Sequence, residues 1–218
     1  MKLIPKSVER VFYGLTRPMV EGLIRAGIRP NVITTIGTLL VVASAVAFGL
    51  GQVRLGGLLY LLSGVVDTLD GAVARANQQV TRFGAFYDST LDRVGDGATF
   101  MGIAVFYLLA PDGSVAHREL AIIISMVAII ASLLVSYARA RAEGLGIDCK
   151  VGMVQRAERI VGLSLPTLLW GAGPGGVVLF WIVAVLALTS VITVVQRFVY
   201  VYQVTEGAAA PEASKGQS

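Results

Sequence analysis

Apolar residues run along this chain in long blocks interrupted at a few points by charge, with no sustained alternation of polar and apolar positions. Blocks of that kind predict helices rather than the strands of a membrane barrel. Over residues 2–26, Ile4, Val8, Val11, Phe12, Leu15, Met19, Leu23 and Ile24 recur at helical spacing, with Lys and Arg opposite them. That pattern predicts an amphipathic helix lying in the membrane interface. Arg29-Pro30-Asn31 interrupts it, and Asn31 is the expected N-cap of the next helix, with Val32, Ile33 and Thr34 supplying its first free backbone N–H groups.

The first spanning segment is free of charge from Pro30 to Val53, and Arg54 with Gly56-Gly57 is expected to form the turn after it. A second runs from about Leu55 to Arg75, a third from about Gly84 to Leu109, and a fourth from about Leu120 to Arg141. Between Ile160 and Gln196 lie 37 residues without a charge, too many for one crossing, and the glycine-rich stretch 171–176 divides them in two. Trp170 and Trp181 flank that division as interfacial anchors. The expected fold is therefore an all-α membrane protein. Six transmembrane helices (residues 30–204) follow an N-terminal amphipathic interfacial helix (1–29), and a small, polar, disordered tail (205–218) closes the chain.

Composition agrees: 55% of residues are hydrophobic and 15% charged, where soluble domains are nearer a quarter charged. Charges at Lys6, Arg10, Arg17, Glu21 and Arg25 leave no uninterrupted apolar region for a secretory signal peptide. Cys149 is the single cysteine and His117 the single histidine, which excludes cysteine- or histidine-rich metal sites. Of 18 Lys and Arg, only Arg54 and Arg118 fall in loops of one face. The positive-inside rule then places both termini and the loops 76–83 and 142–155 in the cytoplasm. The net charge of +4 is accounted for by that topology and by anionic lipid, so no nucleic-acid partner is expected.

The chemistry lies in the acidic halves of the second and third segments. Five of the seven Asp fall between positions 67 and 96. Asp67 and Asp70 share a helix face, as do Asp88, Asp92 and Asp96. Each costs roughly 2.5–3.5 kcal/mol to insert into a membrane, so compensation is required. Arg75 and Arg93 can supply part, and Asp96 is expected either to pair with Arg93 or to contact substrate. Oxygen ligands without His or Cys otherwise select hard divalent cations, and two facing carboxylate pairs suit a two-metal site acting on phosphates. A proton or cation transporter is the alternative from another class, although no span is broken in mid-membrane.

The full spacing is Asp67-x2-Asp70-Gly71-x2-Ala74-Arg75-x8-Gly84-x3-Asp88-x3-Asp92. By it the chain resembles the CDP-alcohol phosphotransferase family, and the likeness extends along the whole chain. Gly71 and Ala74 leave room for a nucleotide, Arg75 offers a bidentate phosphate donor, and Gly84 is expected to let the third segment approach the second. The resemblance implies that Asp67, Asp70, Asp88 and Asp92 bind two Mg²⁺ ions, or Mn²⁺, and that Asp92 is also the catalytic base. It implies a CDP-lipid site at Asn31, Val32, Ile33, Thr34, Gly71, Ala74, Arg75 and Thr81. A homodimer in the cell (inner) membrane, with a cytoplasmic active site, is implied as well.

A second group of residues bears on the acceptor alcohol. Ser136-Tyr137-Ala138-Arg139, then Arg156 and Arg159, then Arg197 place cations at three helix ends on the metal side. Here the chain resembles the branch of the family, bacterial or archaeal, whose acceptor is inositol 1-phosphate. Ser136, Arg139, Arg159 and Arg197 would grip the acceptor phosphate, with Arg156 next in line. Relatives often carry Lys at the Arg139 position, a departure that keeps the charge and changes the geometry. The implied reaction joins the phosphatidyl group of CDP-diacylglycerol to inositol 1-phosphate and releases CMP. Phosphatidylglycerolphosphate synthases, which take glycerol 3-phosphate, are the nearest rival.

Overall fold

The computed structural model describes residues 17–206, and every described element is helical. The expectations for residues 2–16 and for most of the polar tail lie outside the described residues. Residues 17–25 are helical (α1). They are followed by α2 (Pro30–Gly49), α3 (Val53–Ala76), α4 (Arg82–Leu109), α5 (Arg118–Gly144), α6 (Arg156–Trp170) and α7 (Val177–Thr205), with a 3-10 turn at Pro174–Gly176 between the last two.

Local chemistry explains these boundaries. Pro30 opens α2 at a position where its missing N–H costs nothing, so Arg29 is the N-cap and Asn31 lies inside the helix, one correction to the sequence expectation. Gly51, with φ +77°, turns the chain between α2 and α3. Gly56 and Gly57 therefore sit within α3 rather than in the turn. They are small for a packing reason. A Cβ on Gly56 would lie 2.8 Å from the Phe48 ring, and one on Gly57 would lie 3.2 Å from the Ser164 carbonyl oxygen. Thr81 caps α4, its hydroxyl accepting from the Gly84 amide at 2.9 Å. The Glu158 carboxylate accepts from the Gln155 amide at 3.0 Å and starts α6 at Arg156.

The helices pack neighbour to neighbour in a closed ring: α2 on α3, α3 on α6, α6 on α7, α7 on α5, α5 on α4, and α4 back on α2. In that order α4 and α6 stand opposite one another. Phe48, Tyr60, Phe100, Ile103, Tyr107, Leu163, Leu179 and Val183 fill one half of the interior. The Tyr107 hydroxyl donates to the Gly176 carbonyl at 2.7 Å and ties the α6–α7 turn to α4. At the other end, Val20 of α1 packs with Ile33, Leu69 and Val73, which seats α1 against α2 and α3. The polar site lies at this end.

Among the described residues, four helical stretches are long and apolar enough to cross a membrane: α2, α3, α5 and Pro174–Thr205. α4 has 28 residues, but its first half carries the carboxylates. α6 has 15 residues, about 22 Å of helix against about 30 Å of bilayer core. Trp170 and Trp181 are 61% and 62% exposed on either side of the α6–α7 turn.

Candidate active site

Helical spacing brings Asp67 and Asp70 onto one side of α3 and Asp88, Asp92 and Asp96 onto one side of α4. The ring then turns these two faces toward each other. Asp67, Asp70 and Asp88 each offer an oxygen, and these oxygens lie within 4.8 Å of one another. The Thr34 hydroxyl of α2 donates to Asp70 at 2.7 Å and fixes that buried carboxylate. Asp88 Oδ1 is buried and has no hydrogen-bond partner. Three converging carboxylates with an unmatched oxygen and no nitrogen or sulfur ligand fit a hard divalent cation.

Asp92 is held differently. Arg156 Nη1 lies 2.5 Å from Asp92 and 2.8 Å from Asp67, so a guanidinium from α6 neutralises part of the cluster. Asp96 pairs with neither Arg93 nor any other group on its own helix. It pairs with Arg159 at 2.5 Å, both side chains being only 2% exposed. Arg93 instead donates to the Ser89 carbonyl one turn back. Sequence spacing had placed the arginines at the right end of the bundle. The partners of Arg156 and Arg159 lie across the ring and left no local signal.

Two cavities meet at the carboxylates. The larger, about 810 Å³, is lined by Asp67, Asp88 and Asp92 on one side and by Ser136, Arg139, Arg156, Arg159 and Arg197 on the other. All four residues expected to grip an acceptor phosphate border it. Arg139 pairs with Glu143 at 2.8 Å at the half-exposed rim. Arg197 is buried and donates from Nε to the Val151 carbonyl at 3.0 Å and from Nη1 to the Val135 carbonyl. Glu143, Gln155 and Glu158 also line this cavity, and the sequence reading had given them no role.

The smaller cavity, about 290 Å³, is lined by Asn31, Thr34, Asp70, Gly71, Ala74, Arg75, Thr81 and Asp88, among others. Six of the eight residues expected around a CDP-lipid are present. Val32 and Ile33 are not. The Val32 side chain is exposed and its amide donates to the Arg29 carbonyl at 3.0 Å, while Ile33 is buried in the apolar cluster with Leu69. Gly84 is close to α2 rather than α3: a Cβ there would lie 3.4 Å from Asn31 Oδ1. Asp88 lines both cavities, so a group in one lies across this carboxylate from a group in the other.

Comparison with known proteins agrees with this arrangement. Residues 28–195 match the model of the CDP-alcohol phosphatidyltransferase family. The archaetidylinositol phosphate synthase of Methanothermobacter thermautotrophicus is 36% identical over 196 residues, covering 86% of this chain and 92% of the relative. The crystal structure of Mycobacterium tuberculosis phosphatidylinositol phosphate synthase with CDP-DAG bound superposes with a TM-score of 0.75 at 33% identity, covering 86% of this chain and 93% of that one. The same enzyme in complex with manganese and citrate gives a TM-score of 0.74 at 33% identity, covering 86% and 88%.

Proposed function

The chain belongs to the CDP-alcohol phosphatidyltransferase family, and from that premise we propose that it transfers the phosphatidyl group of CDP-diacylglycerol to inositol 1-phosphate, releasing CMP. The observation that carries this reading is the pair of cavities meeting at Asp88, one lined by Arg75 and Thr81, the other by Ser136, Arg139, Arg159 and Arg197, the residues expected to face a phosphorylated acceptor. The relatives' names, both inositol phosphate synthases, support the choice of acceptor.

In this reading the CDP headgroup occupies the smaller cavity, with Arg75 on its phosphates and Gly71 and Ala74 leaving space for the nucleotide. Asp67, Asp70, Asp88 and Asp92 would hold two Mg²⁺ ions, or Mn²⁺. When bound, such ions neutralise charge on the pyrophosphate and on the leaving CMP. Asp92, which lines the acceptor cavity, takes the proton from the attacking hydroxyl. A new oxygen–phosphorus bond forms to the lipid-bearing phosphorus as its bond to the bridging oxygen breaks, and CMP leaves with that oxygen. Ser136, Arg139, Arg159 and Arg197 hold the acceptor phosphate.

All six helices α2–α7 cross the bilayer in this proposal, and the active site faces the cytoplasm. Support comes from the position of the cations: Arg139, Arg156 and Arg197 surround the carboxylate end, whereas Arg54 and Arg118 lie at the other. The test is CMP release from CDP-diacylglycerol by purified protein given inositol 1-phosphate, free inositol or glycerol 3-phosphate in turn. Rapid release with inositol 1-phosphate alone is expected. Preference for glycerol 3-phosphate would overturn the acceptor, and cation flux in sealed vesicles without CMP release would overturn the reaction.

A further inference from the structure

Asp96 lies outside the eight-position signature, one helical turn beyond Asp92 on the same face of α4. It is 2% exposed, and its Oδ2 accepts from Arg159 Nη2 at 2.5 Å across the ring. The contact is one-pointed. Arg159 Nε and Nη1 are both buried without a partner, as is Asp96 Oδ1. A buried pair serving stability alone gains from a two-pronged arrangement that matches all four groups, because unmatched donors in a low-dielectric interior are costly. Arg159 also lines the larger cavity. The guanidinium is thus anchored at one nitrogen, and two further donors remain in its rigid plane.

The other cavity arginines are engaged elsewhere. Arg156 Nη1 is shared by Asp67 and Asp92, leaving one buried unmatched nitrogen, Nε, where Arg159 has two; Arg93 donates to the Ser89 carbonyl, Arg197 donates to two backbone carbonyls, and Arg139 pairs with Glu143 at the rim. We infer, on the reading that the acceptor alcohol is phosphorylated, that Asp96 is a positioning residue that sets acceptor specificity. It holds Arg159 so that Nε and Nη1 meet the acceptor phosphate, while Asp92, about 6 Å along α4, faces the attacking hydroxyl. An unphosphorylated alcohol leaves both donors unmatched and is rejected for that reason.

The experiment is steady-state CMP release with each substrate varied in turn, beside Mn²⁺ binding measured by calorimetry. Asp96→Asn is expected to raise the KM for inositol 1-phosphate tenfold or more, with the KM for CDP-diacylglycerol and the Mn²⁺ affinity within twofold of wild type. Where that variant is not recovered folded, Asp96→Glu, which keeps the charge and moves the carboxylate, is read by the same KM values. In an Arg159→Gln background, removal of the Asp96 charge should add no more than twofold to the acceptor KM. Equal rises in both KM values, an unchanged acceptor KM, or a further large rise in the double variant would each overturn the assignment. Wild-type protein that releases no CMP with any phosphorylated acceptor instead overturns the proposed reaction itself, so the two failures are distinguishable.

Discussion

Arg156 of α6 places one guanidinium nitrogen 2.5 Å from Asp92 of α4, and the same nitrogen lies 2.8 Å from Asp67 of α3. The protein therefore supplies a cation of its own to the carboxylates expected to bind metal. Arg156 and a divalent ion compete for the same charge. Arg156→Gln should bind Mn²⁺ about tenfold more tightly, equivalent to ~1.4 kcal/mol, and should be less stable than wild type until metal is added. Calorimetric titration and thermal unfolding with and without Mn²⁺ measure both effects. Weaker metal binding in the variant would count against competition.

Asp92 lines the larger cavity and stands outside the tight group of three carboxylates. Asp92→Asn should lower kcat by about a hundred- to ten-thousand-fold, the usual contribution of a general base. CDP-diacylglycerol should still bind, because Asp70, Arg75 and Thr81 line the other cavity. Turnover near the wild-type rate would sink the assignment of Asp92 as base.

The Thr34 hydroxyl donates to Asp70 at 2.7 Å from a different helix. Thr34→Val keeps the shape and removes the donor, leaving the buried carboxylate free to rotate. Supporting contacts of this kind are worth about 10–100-fold in metal affinity. A Mn²⁺ affinity at least tenfold below wild type is the expected calorimetric result, and an unchanged affinity would show that Thr34 does not orient the ligand.

Gly102 of α4 faces the α2 backbone, and a Cβ there would lie 2.8 Å from the Ala45 Cα. Backbone cannot yield as a side chain end can. Gly102→Val should therefore separate α4 from α2 and destabilise the protein by about 1–3 kcal/mol or more. Gly97→Ala on the same helix, with open space around it, serves as the control. Unfolding temperatures in detergent that fall equally for both would refute the packing argument.

Much of this molecule was legible without coordinates. Long apolar blocks placed the six helices α2–α7 within a few residues, because hydrophobic burial and unsatisfied backbone groups leave few other solutions in a membrane-like composition. Helical periodicity put Asp67 with Asp70, and Asp88 with Asp92 and Asp96, on shared faces. Spacing of the signature supplied the nucleotide-side residues, six of which line one cavity.

Periodicity says which residues share a face and is silent about what that face meets. Asp96 is a case in point: local spacing offered Arg93, three residues away, but the ring sets α4 opposite α6 and delivers Arg159, 63 residues away. Arg156 reached Asp67 from 89 residues away by the same geometry. Gly56 and Gly57 resembled a turn in sequence and proved to be places where Phe48 and α6 come close. The sequence by itself determined the helices, the faces and the carboxylate chemistry, all consequences of local repeat and composition. Only tertiary structure decided which arginine neutralises which aspartate, because that depends on the order in which the helices close the ring.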